Sequence, residues 1–313
     1  MSAESIRPSL AHQVKTHLQK IPVLVLAKRY VWKNTREKYS NLRRKYFHLR
    51  GKYFDFNRLN VCHAFPLFAP NSSGAYKDRA QLSIQTINQL IPVLSDLATS
   101  TGQREREITS ITQFLISDED VEAAEEIKEY FDKHGSDKSY IHNYQCIYGP
   151  ILKNREGIRG VLEIGMGTNN TDVVSNMGAH GKPGASLRAF RDFLKSARIF
   201  GADVDKRILF QEERIKTFFV DQTDPATFSE LGKSIPSDLD LVIDDGLHAP
   251  NANIQTLMFG LSKIRIGGWV VIEDIVAEAI PVWEVVSALL PSNYRPLIIR
   301  SACAIVFAVE RLS

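Results

Sequence analysis

The chain is too poor in cysteine for a disulfide framework or a zinc cluster: Cys62, Cys146 and Cys303 are the only three in 313 residues, and they are scattered. That usage fits a reducing compartment, so a cytoplasmic protein is expected. Long hydrophobic runs are also missing. No stretch approaches the ~20 apolar residues that span a bilayer, and residues 21–27, interrupted by Pro22, lack the cleavage pattern of a signal peptide. Nor does one sign of charge dominate, the formal net being only +3. With 44% hydrophobic and 24% charged residues, what remains is the composition of an ordinary globular protein with one large core and a smaller region beside it.

The near-neutral total conceals an asymmetry. Residues 1–50 carry twelve Lys/Arg against Glu4 and Glu37, a net of +10, which leaves the remainder at −7. Within this stretch Lys38-Tyr39, Lys45-Tyr46 and Lys52-Tyr53 recur at seven-residue spacing, and Leu42, Leu49 and Phe56 each follow a tyrosine by three. That is an a/d seam, so residues 1–60 are read as a basic amphipathic helical segment. Three heptads are short for a free coiled coil, and Gly51 costs the helix about 1 kcal/mol. The seam is therefore expected to be covered by the body of the chain or by a second subunit, which makes a homo-oligomer the expectation. A solvated basic helix and a peripheral membrane contact with anionic lipid are the competing readings. Nucleic acid is the weakest, because no stacking or base-reading module accompanies the charge.

Residues 66–74 and 98–103 have linker composition. Between and after them, residues 80–97 and 108–116 carry helix-compatible apolar spacing, with Pro92 expected to kink or interrupt the first. Residues 120–134 open on acids and close on Lys133, His134 and Gly135, the charge order and stop signal of a helix. Residues 61–130 thus read as a helical auxiliary region ahead of a catalytic domain at 131–313.

That domain is marked by five apolar runs that end in polar residues. Val161-Leu162-Glu163-Ile164 breaks into Gly165-Met166-Gly167, a strand closing on a glycine turn where the backbone can approach a ligand without a Cβ in the way. A second run ends at Asp203 and Asp205, a third at Asp221-Gln222, a fourth at Asp244-Asp245 and a fifth at Glu273-Asp274. With helix-like stretches between them, the runs predict an α/β fold in which a mostly parallel, Rossmann-like sheet binds ligands at the carboxyl ends of its strands. A Gly-x-Gly turn by itself also suits a nicotinamide cofactor, but such loops carry a third glycine where this chain has Asn170.

The order of these features resembles the class I S-adenosylmethionine-dependent methyltransferases. Asp137-Lys138, His142-Asn143-Tyr144, Tyr148, residues 184–188, Asp221-Gln222, Asp244-Asp245-Gly246-Leu247-His248 and Ile272-Glu273-Asp274 together look like the metal-dependent sugar O-methyltransferases of macrolide pathways, over about residues 131–275. The resemblance implies a methyltransferase sheet with helices on both faces. It also implies cofactor contacts: Glu163, Gly165 and Gly167 at the methionine moiety, Asp203 at the ribose, Asp221 and Gln222 at the adenine, Asp244 at the amino end, and Tyr144 in the same pocket with His142. Ser186 is expected to cap a helix over 187–195 whose N-terminus meets the cofactor carboxylate. The glycine-rich stretch 169–184 reads as a substrate lid.

In that topology the fourth and fifth strands are neighbours, so Asp245, Glu273 and Asp274 converge. So much negative charge without a counterion raises at least one pKa sharply, and a divalent cation resolves this. Oxygen ligands favour Mg²⁺ or Mn²⁺ over zinc. A metal lowers the barrier to ionising a hydroxyl, and His248, three residues past Asp245, is placed to take the proton as general base beside the catalytic Asp245. Leu247 departs from the serine usual in the macrolide enzymes. The expected activity is methyl transfer to a hydroxyl of a sugar-containing small molecule or glycan with adjacent hydroxyls. A catechol-like or polyketide acceptor and a non-catalytic scaffold are the alternatives.

Overall fold

The computed structural model describes residues 61–103 and 108–313. The basic segment 1–60, with its tyrosine heptads, lies outside the described residues. Two compact units divide the chain at Gln89/Leu90. In the first, Cys62 Sγ lies 3.7 Å from Ser83 Oγ. Helix α1 (Tyr76–Ser100) begins in this unit and runs on through Pro92, where a kink or an interruption was expected, without being interrupted.

The second unit is built on a nine-stranded sheet: β1 (Ile108–Ser110), β2 (Gly160–Ile164), β3 (Arg198–Asp203), β4 (Gln211–Glu212), β5 (Ile215–Phe219), β6 (Leu239–Asp244), β7 (Ile264–Ile275), β8 (Tyr294–Arg300) and β9 (Ile305–Arg311). Their order across the sheet is β1-β8-β9-β7-β6-β2-β3-β5-β4. The five strands from β5 to β7 are parallel, so their acid-tipped ends lie along one edge, and β9 runs antiparallel between β7 and β8. Residues 108–116 depart from the helical expectation. Ile108 pairs with Ile298 in a parallel edge strand, and a 3₁₀ turn follows from Ile111 to Phe114. A short apolar run has no periodicity that separates strand from helix, and the open edge of β8 decided the matter.

Alternation along the buried strands sorts side chains to two faces. Val161, Ile199, Leu241 and Val271 pack with Phe131 of α2 (Asp118–His134), Tyr148 and Leu152 of α4 (Gln145–Leu152), and Phe190 and Phe193 of α5 (Ala185–Phe193). Leu162, Phe200, Val242 and Val270 pack with Phe228 of α6 (Pro225–Ser234), Leu257 of α7 (Pro250–Lys263) and Trp283 of α8 (Ile280–Leu289). Helices therefore cover both faces, as the alternation of elements predicts.

Helix α2 also delivers part of the site. Asp120 Oδ2 accepts from the backbone N–H of Ser117 at 2.9 Å and of Ile116 at 3.0 Å, while the Ser117 hydroxyl accepts from Asp120 N, a reciprocal box that fixes where the helix starts. At the other end Gly135 takes φ +74° and turns the chain sharply. The next element is α3 (Asp137–Tyr140), a single turn that carries Lys138 into the interior.

Candidate active site

The carboxyl ends of β2, β3, β5 and β6 enclose a cavity of about 320 Å³ lined by Ile164, Gly165, Gly167, Asp203, Val220, Asp221 and Gln222, with Val173 and Val174 of the 169–184 loop across from them. Gly165 has φ +88°, and a Cβ there would lie 2.1 Å from the Asp245 carbonyl oxygen. This glycine is thus required by the approach of the β2 and β6 loops to each other. The buried Asp203 accepts from Met166 N at 2.9 Å and Asp205 N at 2.8 Å, tying strand β3 to the glycine turn; burial holds its carboxyl above the usual range. Asp205 steadies the far end of that turn through Thr168 Oγ1 and Asn170 Nδ2, both at 2.7 Å.

Two expected cofactor residues have their polar atoms engaged within the protein. Gln222 Nε2 donates to Asp244 Oδ1 at 2.9 Å and Thr256 Oγ1 at 2.8 Å, and its Oε1 accepts from Leu247 N at 2.7 Å. Asp244 is fully buried, accepts also from Asn253 Nδ2 at 3.1 Å, and lines neither of the two cavities described in this section. It was expected at the amino end of a cofactor. The structure places it beneath the β6 loop, which it and Gln222 hold in shape.

A second cavity, of about 370 Å³ and more polar, opens between residues 135–141, residues 175–182, the start of α5, and Asp245, His248 and Asp274. Gly167, Ser175 and Asp245 line both cavities, so the two meet there. The Ser175 hydroxyl donates to the Gly246 carbonyl, fastening the 169–184 loop across the junction.

Around Asp245 the expected convergence of acids is present, but its countercharge comes from the chain itself. The Lys138 ammonium, on a side chain only 2% exposed, lies 2.7 Å from Asp245 Oδ2, 3.1 Å from Glu163 Oε1, and in contact with Glu273 Oε2. Tyr148 donates to the other Glu273 oxygen, and Ser186 donates to Glu163 Oε2 at 2.5 Å. Burial pushes the Glu273 and Glu163 carboxyls upward, whereas Lys138 and His248 outweigh burial at Asp245 and hold it below its ordinary value. Burial alone would lower the Lys138 pKa, but the surrounding carboxylates keep it well above the usual lysine range. Lys138 was legible only as part of a motif. The excess of converging acids was the signal that a basic partner was needed.

Glu273 therefore faces the interior rather than the cavity. Pairing between β7 and β9 slips between Ile272 and Ile275, and Asp274 sits at φ +53° within the slip, an irregularity that turns it into the polar cavity while its neighbour stays buried. His248 is likewise left-handed, at φ +54°. Strain of this kind concentrates at functional sites. Donor atoms of Asp245, His248 and Asp274 all lie within 4.8 Å of one another. Lys138 occupies one oxygen of Asp245, and the Tyr144 hydroxyl, donating at 2.5 Å, occupies Oδ1 of Asp274, so each acid keeps its second oxygen for a ligand. Two carboxylates on a polar wall are donors that a divalent cation accepts, with the His248 imidazole beside them.

Two further expectations are corrected by geometry. Ser186 is not the helix cap: α5 begins at Ala185, Gly184 occupies the cap position at φ +71°, and the Ser186 hydroxyl is spent on Glu163. Tyr144, expected against the cofactor, is buried behind Asp274 and lines neither cavity. His142 stacks on it at 4.9 Å, with Nδ1 3.3 Å from Asp274 Oδ1.

No family model matches the chain. It is 30% identical over 154 residues to the 8-demethyl-8-alpha-L-rhamnosyl tetracenomycin-C 2'-O-methyltransferase of Streptomyces olivaceus, which covers 49% of this chain and 38% of that protein. It is 38% identical over 93 residues to the demethylmacrocin O-methyltransferase of Streptomyces fradiae, covering 29% and 23%. The mycinamicin VI 2''-O-methyltransferase of Micromonospora griseorubida is 36% identical over 92 residues, again covering 29% and 23%. This chain is similar to macrolide-type sugar O-methyltransferases. It spans less than two fifths of the length of each of these relatives. Among solved structures, a crystal form of MycE methyltransferase from the mycinamycin pathway, in complex with Mg and SAH, aligns with a TM-score of 0.48 at 18% identity over 78% of this chain and 62% of that one.

Proposed function

We propose that the chain is an S-adenosylmethionine-dependent O-methyltransferase that needs a divalent cation and acts on a hydroxyl of a sugar-containing small molecule or glycan. The observation that carries this reading is the meeting of a cavity at the carboxyl ends of parallel strands with a polar cavity walled by Asp245, His248 and Asp274. The names of the curated relatives, three sugar or macrolide O-methyltransferases, support the acceptor class.

When bound, S-adenosylmethionine supplies the methyl group and Mg²⁺ or Mn²⁺ eases ionisation of the acceptor hydroxyl. Gly165 and Gly167 give the nucleoside side of the site a bare backbone wall, with Asp203 and Asp221 to receive the ribose and adenine. Ser186 borders the methionine end, with the buried Glu163 holding it from behind. Asp245 and Asp274 would hold the cation, each having one oxygen engaged by Lys138 or Tyr144, and Glu273 would join them only if its Lys138 contact were given up. His248, on the acceptor side, takes the hydroxyl proton. The Ser175 tie holds the 169–184 loop beside the junction across which the methyl group would pass.

The test is incubation with methyl-labelled S-adenosylmethionine and a panel of glycosides bearing adjacent hydroxyls. Label should reach a glycoside with Mg²⁺ and not in excess chelator. Full transfer in chelator, or binding of NADH in place of S-adenosylmethionine, would contradict the reading. Residues 1–60 belong to the same proposal as an oligomer contact of a cytoplasmic protein, with peripheral adhesion to membranes as the rival. Deleting them should lower the mass seen by light scattering and leave cofactor binding intact. Among the described residues no helix is long and apolar enough to cross a membrane.

A further inference from the structure

The proposed cation site contains a positive charge that the reaction does not use. Lys138 reaches the acid cluster from α3, outside the sheet, and touches acids from the ends of three strands: Glu163 of β2, Asp245 just past β6, and Glu273 of β7. The partners of these acids are not equivalent. The second oxygen of Glu163 is taken by the Ser186 hydroxyl and that of Glu273 by the Tyr148 hydroxyl, both neutral donors. The second oxygen of Asp245 faces His248 Nε2 at 3.8 Å and the polar cavity. Lys138 also lines that cavity, so its ammonium stands beside any cation held by Asp245 and Asp274.

We propose that Lys138 is a positioning residue that acts as the resident countercharge of the cluster, keeping Asp245 and Glu273 in place before a divalent cation arrives and competing with that cation once it does. The inference rests on the cation-dependent reading above and deepens it. The buried Glu163 and Glu273 and the half-buried Asp245, without an ammonium among them, would repel one another and open the site, which explains why the chain commits a buried lysine here. The same charge repels a divalent ion at close range in a medium far less polarisable than water. Cation affinity is thereby held down, and a cation that recruits Glu273 must loosen its contact with Lys138. Such an exchange gives Glu273 a route from its buried contact to the cation.

The experiment measures Mn²⁺ binding to the full chain by calorimetry and by the paramagnetic signal of free Mn²⁺, for the wild type, Lys138→Met, Lys138→Gln and Lys138→Arg, with thermal unfolding measured with and without the ion. The neutral variants should bind Mn²⁺ roughly tenfold or more tightly, should melt at lower temperature without metal, and should recover most of that loss when Mn²⁺ is added. Lys138→Arg should restore affinity towards the wild-type value, an outcome that a purely space-filling role does not produce. Wild-type binding with equal or weaker binding by both neutral variants overturns the role of Lys138 and leaves the cation reading standing. Absence of Mn²⁺ binding in every protein overturns both. Failure of both neutral variants to fold even in Mn²⁺ shows that the ion cannot replace the ammonium, and that too overturns the inference.

Discussion

Replacing Tyr144 by phenylalanine separates two accounts of this residue. In the structure its hydroxyl donates to Asp274 Oδ1 at 2.5 Å and receives the Asp274 backbone N–H at 3.3 Å, all within a buried environment. Burial, with Glu273 and Asp274 nearby, pushes the phenol far above its ordinary pKa, so it remains a donor at any working pH. A hydrogen bond to a charged group contributes about 1.5–3 kcal/mol. Asp274 also needs holding: at φ +53° its backbone lies where a non-glycine residue costs on the order of 1–3 kcal/mol. Phenylalanine keeps the ring under His142 and removes only the oxygen, so the fold should survive while Asp274 loses its fixed aim. Calorimetry should show Mn²⁺ binding weakened roughly tenfold, the equivalent of ~1.4 kcal/mol, with S-adenosylmethionine affinity unchanged. Weaker S-adenosylmethionine binding with normal Mn²⁺ binding would refute the geometry and restore the cofactor contact expected from sequence.

Three further outcomes follow from the same structure. Asp203→Ala should weaken S-adenosylmethionine binding by more than about 1 kcal/mol, because it removes a cavity wall and the acceptor for Met166 N; unaltered calorimetric affinity would count against the nucleoside site. His248→Asn, chosen because asparagine tolerates the left-handed backbone that His248 adopts, should lower turnover by on the order of 10²–10⁴ and spare cofactor affinity, and an unchanged pH–rate profile would remove His248 as the base. Asp120 is held down to about 2 by its bonds to Lys153 and to the backbone N–H groups at the start of α2. Because the folded pKa is below the unfolded value of about 3.9, its stabilisation is complete above that value and is lost as pH falls through about 2. Asp120→Ala should therefore cost about 1 kcal/mol at neutral pH and flatten that acid limb in unfolding titrations.

The five parallel strands of the sheet were legible because each is an apolar run closed by an acid, and parallel order put those acids on one edge. Convergence of Asp245 with Glu273 and Asp274 followed from the adjacency of β6 and β7. Their division of labour did not. Whether Glu273 or Asp274 faces the cavity depends on the slip between β7 and β9, and β9 lies some thirty residues further along the chain. Lys138 was hidden for a related reason: nothing local marks a lysine for burial, since its partners come from three separate strands. Asp244 was read as a ligand contact because it ends a strand, but here it is buried against Gln222 and the Gly246 backbone, while Gln222 also lines the first cavity. Residues 108–116 were decided by an open sheet edge that helical spacing does not reveal.

The central claim is that one cavity takes the nucleoside of the methyl donor while the acids of the adjoining cavity take the cation. A crystal structure of the full chain with S-adenosylhomocysteine and Mn²⁺ tests it most directly. The account predicts the adenosine between Gly165, Asp203 and Asp221, with an anomalous Mn²⁺ peak bridging Asp245 and Asp274 beside His248. Adenosine seated in the polar cavity, or Mn²⁺ absent from both aspartates at saturating concentration, would contradict it.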